Sequence, residues 1–215
     1  MNETKQQLAH LAEMRALMER SSRFLSLSGL SGVWAGVCAL AGAAAVYLYL
    51  DMRPLAANGW SYYEKAIRTI KWGMDYKSVF VLIALLVLVT ALAGGIFFTT
   101  RKARRQGLSS WDATSRRLLW AVAVPLSAGG AFCLALLYHD LPALVAPATL
   151  VFYGLALVNG SKFTLRDVEF LGLSEIALGL LGLFFLGNGL ELWAVGFGIL
   201  HILYGTWMYW KYERI

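Results

Sequence analysis

The chain has 215 residues, of which 59% are hydrophobic and 15% charged, with a formal net charge of +6 and a mean hydropathy of +0.60. Soluble domains carry about 45–50% apolar and about 25% charged residues, so a water-soluble globule is excluded and the chain belongs in a bilayer. Nucleic acid is not the partner that the positive charge implies, because Lys and Arg sit between apolar runs and form no basic stripe interleaved with aromatics.

The first 25 residues are too polar for a secretory signal, so the first apolar span is expected to remain as an uncleaved signal-anchor; a first segment, 1–27, precedes that span. Within it Leu8, Leu11, Met14, Leu17 and Met18 recur at helical spacing, while Arg15/Glu19 and Glu19/Arg23 stand four apart. This predicts a cytosolic amphipathic helix lying on the membrane or the bundle, or else an extension of the first span.

A bilayer core about 30 Å thick needs about 20 apolar helical residues. Six stretches qualify: 28–50, 78–100, 118–138, 141–159, 168–187 and 190–210. The predicted fold is therefore an all-α, polytopic six-helix transmembrane bundle. Pro125 interrupts the third span, and Pro142 and Pro147 fall in the fourth; they are expected to kink helices, which membrane helices tolerate when neighbours satisfy the freed carbonyls. With the N-terminus inside, the outer segments hold only Arg53, Lys65, Arg68, Lys71 and Lys77, five of the 19 Lys and Arg. That bias predicts cytoplasmic N- and C-termini. The run from Arg101 to Arg105 fixes the orientation most strongly.

The longest outer loop, 51–77, carries Trp60, Tyr63, Ile67, Ile70 and Met74 at spacings of 3, 4, 3 and 4. One apolar helical face at the outer headgroup level is the expectation, serving as an anchor or as a lid.

Membrane helices associate through small residues that let backbones approach. The first span presents Ser28, Gly32 and Gly36 in one row and Ser31, Ala35, Ala39 and Ala43 beside it, a face for another helix of this chain, a second copy or a membrane partner. The second span is Leu/Val-rich and is expected to be the most lipid-exposed. Gly179 on the fifth span and Gly198 and Gly205 on the sixth mark further packing faces.

Two ionisable residues lie within spans, where such groups are costly and point to function. Glu175 shares a face with Gly172, Gly179 and Gly182, and His201 with Ala194, Gly198 and Gly205. The fifth and sixth spans turn at Gly187-Asn188-Gly189. Glu175 stands thirteen residues before Asn188 and His201 thirteen after it, so equal rise per residue puts them at one depth. Facing carboxylate and imidazole groups can share a proton, because histidine titrates near neutral pH, or can simply clasp two helices. Ser174, Tyr153 and Tyr204 are candidate companions. His139 and Asp140 fall in the outer turn between the third and fourth spans, and His10 has no partner at ligand spacing.

No HExxH, Walker or dinucleotide motif occurs, and one intramembrane histidine excludes a bis-histidine haem. Glu175 and His201 alone are too few ligands for a transition metal. Cys38 and Cys133 both fall within spans and are expected to pack as small hydrophobes. No cofactor is expected. The segment Gly29-Leu30-Ser31-Gly32 resembles the GxSG motif of rhomboid intramembrane proteases, which are six-helix proteins with a histidine partner on their last core helix. That resemblance implies a serine hydrolase using Ser31 and His201. It departs from the family in placing the motif on the first span, near the cytoplasmic end. The run Arg20-Ser21-Ser22-Arg23-Phe24-Leu25-Ser26-Leu27-Ser28-Gly29-Leu30-Ser31-Gly32 resembles the opening of a set of uncharacterised bacterial inner-membrane proteins of similar size. It implies a bacterial inner membrane and no particular activity. Three functions follow: proton-linked or small-solute transport through Glu175 and His201, a membrane interaction or regulatory component, and, more remotely, an intramembrane hydrolase.

Overall fold

A computed structural model describes residues 27–52, 67–71, 73–107 and 111–214. The predicted helix within residues 1–27 lies outside these residues, as do Trp60 and Tyr63. The described chain is all-α apart from one two-stranded turn. Five of its helical segments are long and apolar enough to cross a membrane.

The helices are α1 (Gly29–Leu50), α2 (Tyr76–Arg105), α3 (Ala113–Tyr138), α4 (Val145–Ser161), α5 (Asp167–Phe184) and a continuous α6. This last helix is α-helical over Gly189–Trp193, π-helical over Ala194–Leu200 and α-helical again over His201–Tyr212. The helix α5 carries Asp167 and Glu169 in its first turn and Glu175 in its interior. It is 18 residues long, about 27 Å at 1.5 Å per residue.

Polar residues set the ends of the elements. Asp75 caps α2 by accepting from the Ser78 N–H at 3.1 Å. Asp112 and Ser115 form a capping box at the start of α3, the Asp112 carboxylate accepting from the Ser115 N–H at 2.7 Å. Lys102, Arg104 and Arg105 occupy the last turn of α2, where cations complement the negative end of the helix dipole. At 30 residues, about 45 Å, α2 is longer than a hydrocarbon core about 30 Å thick.

The prolines act differently from expectation. Pro142 opens a 3-10 turn over Pro142–Leu144, and Pro147 is the third residue of α4. First-turn N–H groups have no partner within the helix, so proline costs no hydrogen bond there and breaks nothing. Among the described residues, only Pro125 lies in a helix interior.

The outer loop also needs correction. Ile67 and Arg68 are helical, but Ile70–Lys71 pairs antiparallel with Met74–Asp75, so the expected helical face does not extend through Ile70 and Met74. Gly73, at φ +73°, supplies the left-handed backbone that reverses the chain. The Tyr49 hydroxyl at the end of α1 lies within hydrogen-bonding distance of the Thr69 carbonyl (3.2 Å) and the Met74 carbonyl (3.1 Å). Spacings of 3 and 4 were mimicked by a tight turn.

Two helix groups share α6. In one, α1 packs between α2 and the second half of α6; in the other, α4 packs between α3 and α5, with the first half of α6 against α4 and α5. Only 6% of the apolar window of α2 is buried, and the same holds for α3. The third helix therefore shares the exposure that the sequence assigned to the second alone, because each is an edge helix with one main neighbour. Polar contacts also join neighbouring helices. Trp34 Nε1 donates to the Thr90 carbonyl at 2.9 Å, and Asn159 Nδ2 to the Ala121 carbonyl at 2.8 Å.

The small face of α1 meets α6 of the same chain. A Cβ on Gly29 would collide with the Gly205 carbonyl and the Tyr209 backbone, and one on Gly36 would lie 2.6 Å from the Gly198 carbonyl. A Cβ on Gly32 would lie 3.2 Å from the Gly205 Cα. A similar seam joins α4 to α5, where a Cβ on Gly154 would lie 2.6 Å from the Gly172 carbonyl, and one on Gly172 2.8 Å from the Gly154 carbonyl. Gly179 packs on Val151 and the Pro147 carbonyl.

Candidate functional site

Glu175 projects from α5 and is fully buried, at 0% exposure, while His201 begins the last segment of α6 at 4%. Gly196 on α6 allows the approach that brings them together. Gly196 lies one π-turn before His201, and a Cβ there would strike Glu175 Oε2 and lie 2.6 Å from Leu150 Cδ2. The carboxylate head thus rests on bare backbone.

His201 Nδ1 lies 3.3 Å from Glu175 Oε1 and 3.0 Å from the Gly196 carbonyl oxygen. Nε2 lies 2.8 Å from the Tyr153 hydroxyl of α4. A carbonyl can only accept, so the Gly196 contact requires the proton on Nδ1. Nε2 then accepts from the Tyr153 O–H when the ring is neutral and donates to the Tyr153 oxygen when it is an imidazolium. Phe197 stacks on the imidazole at 5.9 Å and 14°, and Tyr153 flanks it at 5.3 Å. Trp193 extends the aromatic wall through Phe197 at 5.0 Å.

The pairing with Glu175 is electrostatic rather than a well-aligned hydrogen bond. Both carboxylate oxygens are buried and have no hydrogen-bond partner among the described residues. A buried carboxylate without donors is expensive, so its charge depends on the imidazolium beside it. Charged pair and neutral pair have the same net charge.

The other sequence candidates lie elsewhere. Ser174 Oγ donates to the Phe170 carbonyl of its own helix at 2.9 Å. Tyr204 is half-buried and makes no hydrogen bond within the described residues. Ser31 Oγ donates to the Ser28 carbonyl at 2.5 Å, so neither serine is a partner of His201. Gly198 and Gly205 pack against Leu40 and the Gly29 carbonyl of α1. Sequence reasoning missed Gly196, Leu150 and Phe197. Phe197 had a signal, standing four residues before His201 on the same face. Gly196 had none, since its role depends on the π-helical segment, a distortion often found at functional sites. Among the described residues no group of three or more His, Cys, Asp or Glu could hold a metal.

Ser28 belongs to a second polar cluster at the basic end. Its hydroxyl donates to Glu213 Oε2 at 3.1 Å, and the Gly29 N–H donates to Glu213 Oε1 at 2.5 Å. Lys102 Nζ donates to the Leu27 carbonyl at 2.7 Å and lies 3.5 Å from Glu213 Oε1. The start of α1 is therefore capped by a carboxylate from the end of α6. Nearby, Asp167 at the start of α5 accepts from Lys211 (2.9 Å) and from the Tyr212 hydroxyl (2.6 Å) of α6.

Comparison of the chain with protein-family models, with curated proteins and with solved structures gives no match. The geometry just described therefore carries the functional reading.

Proposed function

We propose that the protein is a six-span membrane protein of a bacterial inner membrane, with both termini cytoplasmic, and that it couples transport to protons held by Glu175 and His201. The observation that carries this reading is the Glu175 carboxylate: fully buried, without a hydrogen-bond donor, and 3.3 Å from the imidazole of His201. Ionisable groups within membrane spans mark proton relays and ion pathways. Here three helices contribute to one line, from Glu175 on α5 through His201 on α6 to Tyr153 on α4. Proton uptake would repartition charge along it, and the seam between α5 and α6 would respond. The orientation rests on the bias of Lys and Arg, and α5 as a sixth span rests on its burial against α4 and α6.

The test is proton flux in liposomes under an imposed pH gradient. Glu175→Gln abolishes pH-dependent flux while preserving the folded bundle; flux equal to that of the wild type would overturn the reading. A second reading has the pair as a static clasp in a membrane interaction or regulatory component. It is favoured by the close packing of Leu150 and Gly196 around the carboxylate. In that case neither wild type nor variant passes protons.

A further inference from the structure

At the basic end a cavity of about 380 Å³ opens between α1, α2 and α6, lined by residues that include Arg101, Lys102, Arg105, Tyr209 and Glu213, with Leu30 and Phe98 beside them. Its volume falls within the about 300–1,000 Å³ of small-ligand pockets. Neither Glu175, His201 nor Tyr153 lines it.

The charges do not balance. Among the described residues, three cations and one carboxylate line the cavity. That carboxylate, Glu213, is already taken by Lys102, the Ser28 hydroxyl and the Gly29 N–H. Lys102 is in turn buried, at 8% exposure, and fixed by the Leu27 carbonyl. Arg101 and Arg105 are left over. They stand four residues apart on one face of α2, are exposed, and have no carboxylate at ion-pair distance among the described residues. A guanidinium fork matches the oxygens of a phosphate in two-point contact. The buried Lys102–Glu213 pair gives the cavity a fixed polar floor, and Leu30 and Phe98 give it an apolar wall.

A site with a cationic mouth and an apolar flank, set where membrane-crossing helices leave the hydrocarbon, matches one ligand chemistry. We propose that this cavity binds the phosphate headgroup of an anionic phospholipid, with Arg101 and Arg105 on the phosphate and the first acyl carbons along Leu30 and Phe98. Basic pockets between helices at the cytoplasmic face hold anionic headgroups in this way. The proposal needs only that the helices span a bilayer and is independent of the role of Glu175 and His201.

The experiment is native mass spectrometry of the full chain released from nanodiscs of equal dioleoyl phosphatidylglycerol and dioleoyl phosphatidylcholine. The wild type is expected to retain phosphatidylglycerol preferentially. Replacing both arginines, R101Q with R105Q, is expected to cut that preference about twenty-fivefold, each cation near an anionic headgroup being worth about a factor of five. Arg116→Gln with Arg117→Gln, at the same end on α3, leaves it intact. Equal retention of the two lipids by the wild type overturns the proposal, and that measurement does not depend on any variant folding. So does a preference unchanged in R101Q/R105Q, or one lost equally in the α3 variant, which would mean diffuse surface charge. Displacement of the lipid by millimolar inorganic phosphate or glycerol 3-phosphate would assign the site to a soluble phosphate and overturn it as well.

Discussion

Glu175 meets His201 off axis: Oε1 lies 3.3 Å from Nδ1, while the same nitrogen lies 3.0 Å from the Gly196 carbonyl. One N–H thus faces two acceptors, and the backbone holds the better hydrogen bond. The imidazole is oriented by α6 itself and by Tyr153, so the carboxylate depends on the ring more than the ring depends on it.

That asymmetry predicts unequal mutational costs. His201→Leu leaves a buried carboxylate with no cation and is expected to cost about 3–5 kcal/mol. Glu175→Leu costs less, because His201 keeps the Gly196 carbonyl and Tyr153. The double variant is expected to be more stable than His201→Leu alone. Equilibrium unfolding in mixed micelles measures all three, and strict additivity would show that the pair is uncoupled.

Glycine substitutions should rank by what a Cβ would meet. Gly196→Ala pushes on Glu175 and Leu150 and is expected to cost about 1–3 kcal/mol. Gly29→Ala meets backbone of α6 and costs more than Gly32→Ala, whose nearest neighbours stand at 3.2 and 3.3 Å. Gly95, with nothing within 4 Å, accepts alanine within about 0.5 kcal/mol. Thermal melts in detergent give the order, and a Gly32→Ala penalty above that of Gly29→Ala would contradict the packing described for α1.

The start of α3 should be acid-sensitive. Hydrogen bonds from the Ser115 side chain and backbone hold the Asp112 carboxyl below its ordinary value. The unfolded state therefore binds more protons, and stability rises with pH across this window. The contribution is fully present above the unfolded value of about 3.9 and is lost as pH falls through the lower folded one. Hydrogen exchange at the Ser115 amide is the measurement. Protection is expected to fall away below about pH 4 in the wild type, and Asp112→Ala is expected to remove that pH dependence. A pH-independent amide in the wild type would contradict it.

Much of the helical frame was legible because a bilayer imposes a length on its helices. The ends of the expected apolar stretches fall within five residues of the observed helix ends. The outer loop was misread for a local reason. Ile67, Ile70 and Met74 satisfy helical spacing, yet Gly73 and the Tyr49 hydroxyl turn the chain, and periodicity does not sense a hydroxyl twenty residues away. The prolines were misread because the sequence does not say where a helix begins, and in the first turn proline is harmless.

By itself the sequence determined helices long and apolar enough to cross a membrane, since its apolar content exceeds that of soluble domains. It also put an acid and an imidazole at matching distances from one turn. Tertiary structure decided what each faces. Helix rotation, the π-helical segment in α6 and the choice of α6 as the partner of the small face of α1 all arise from close packing between segments far apart in the chain. Contact at that range depends on which backbones can approach, and local periodicity carries no record of it.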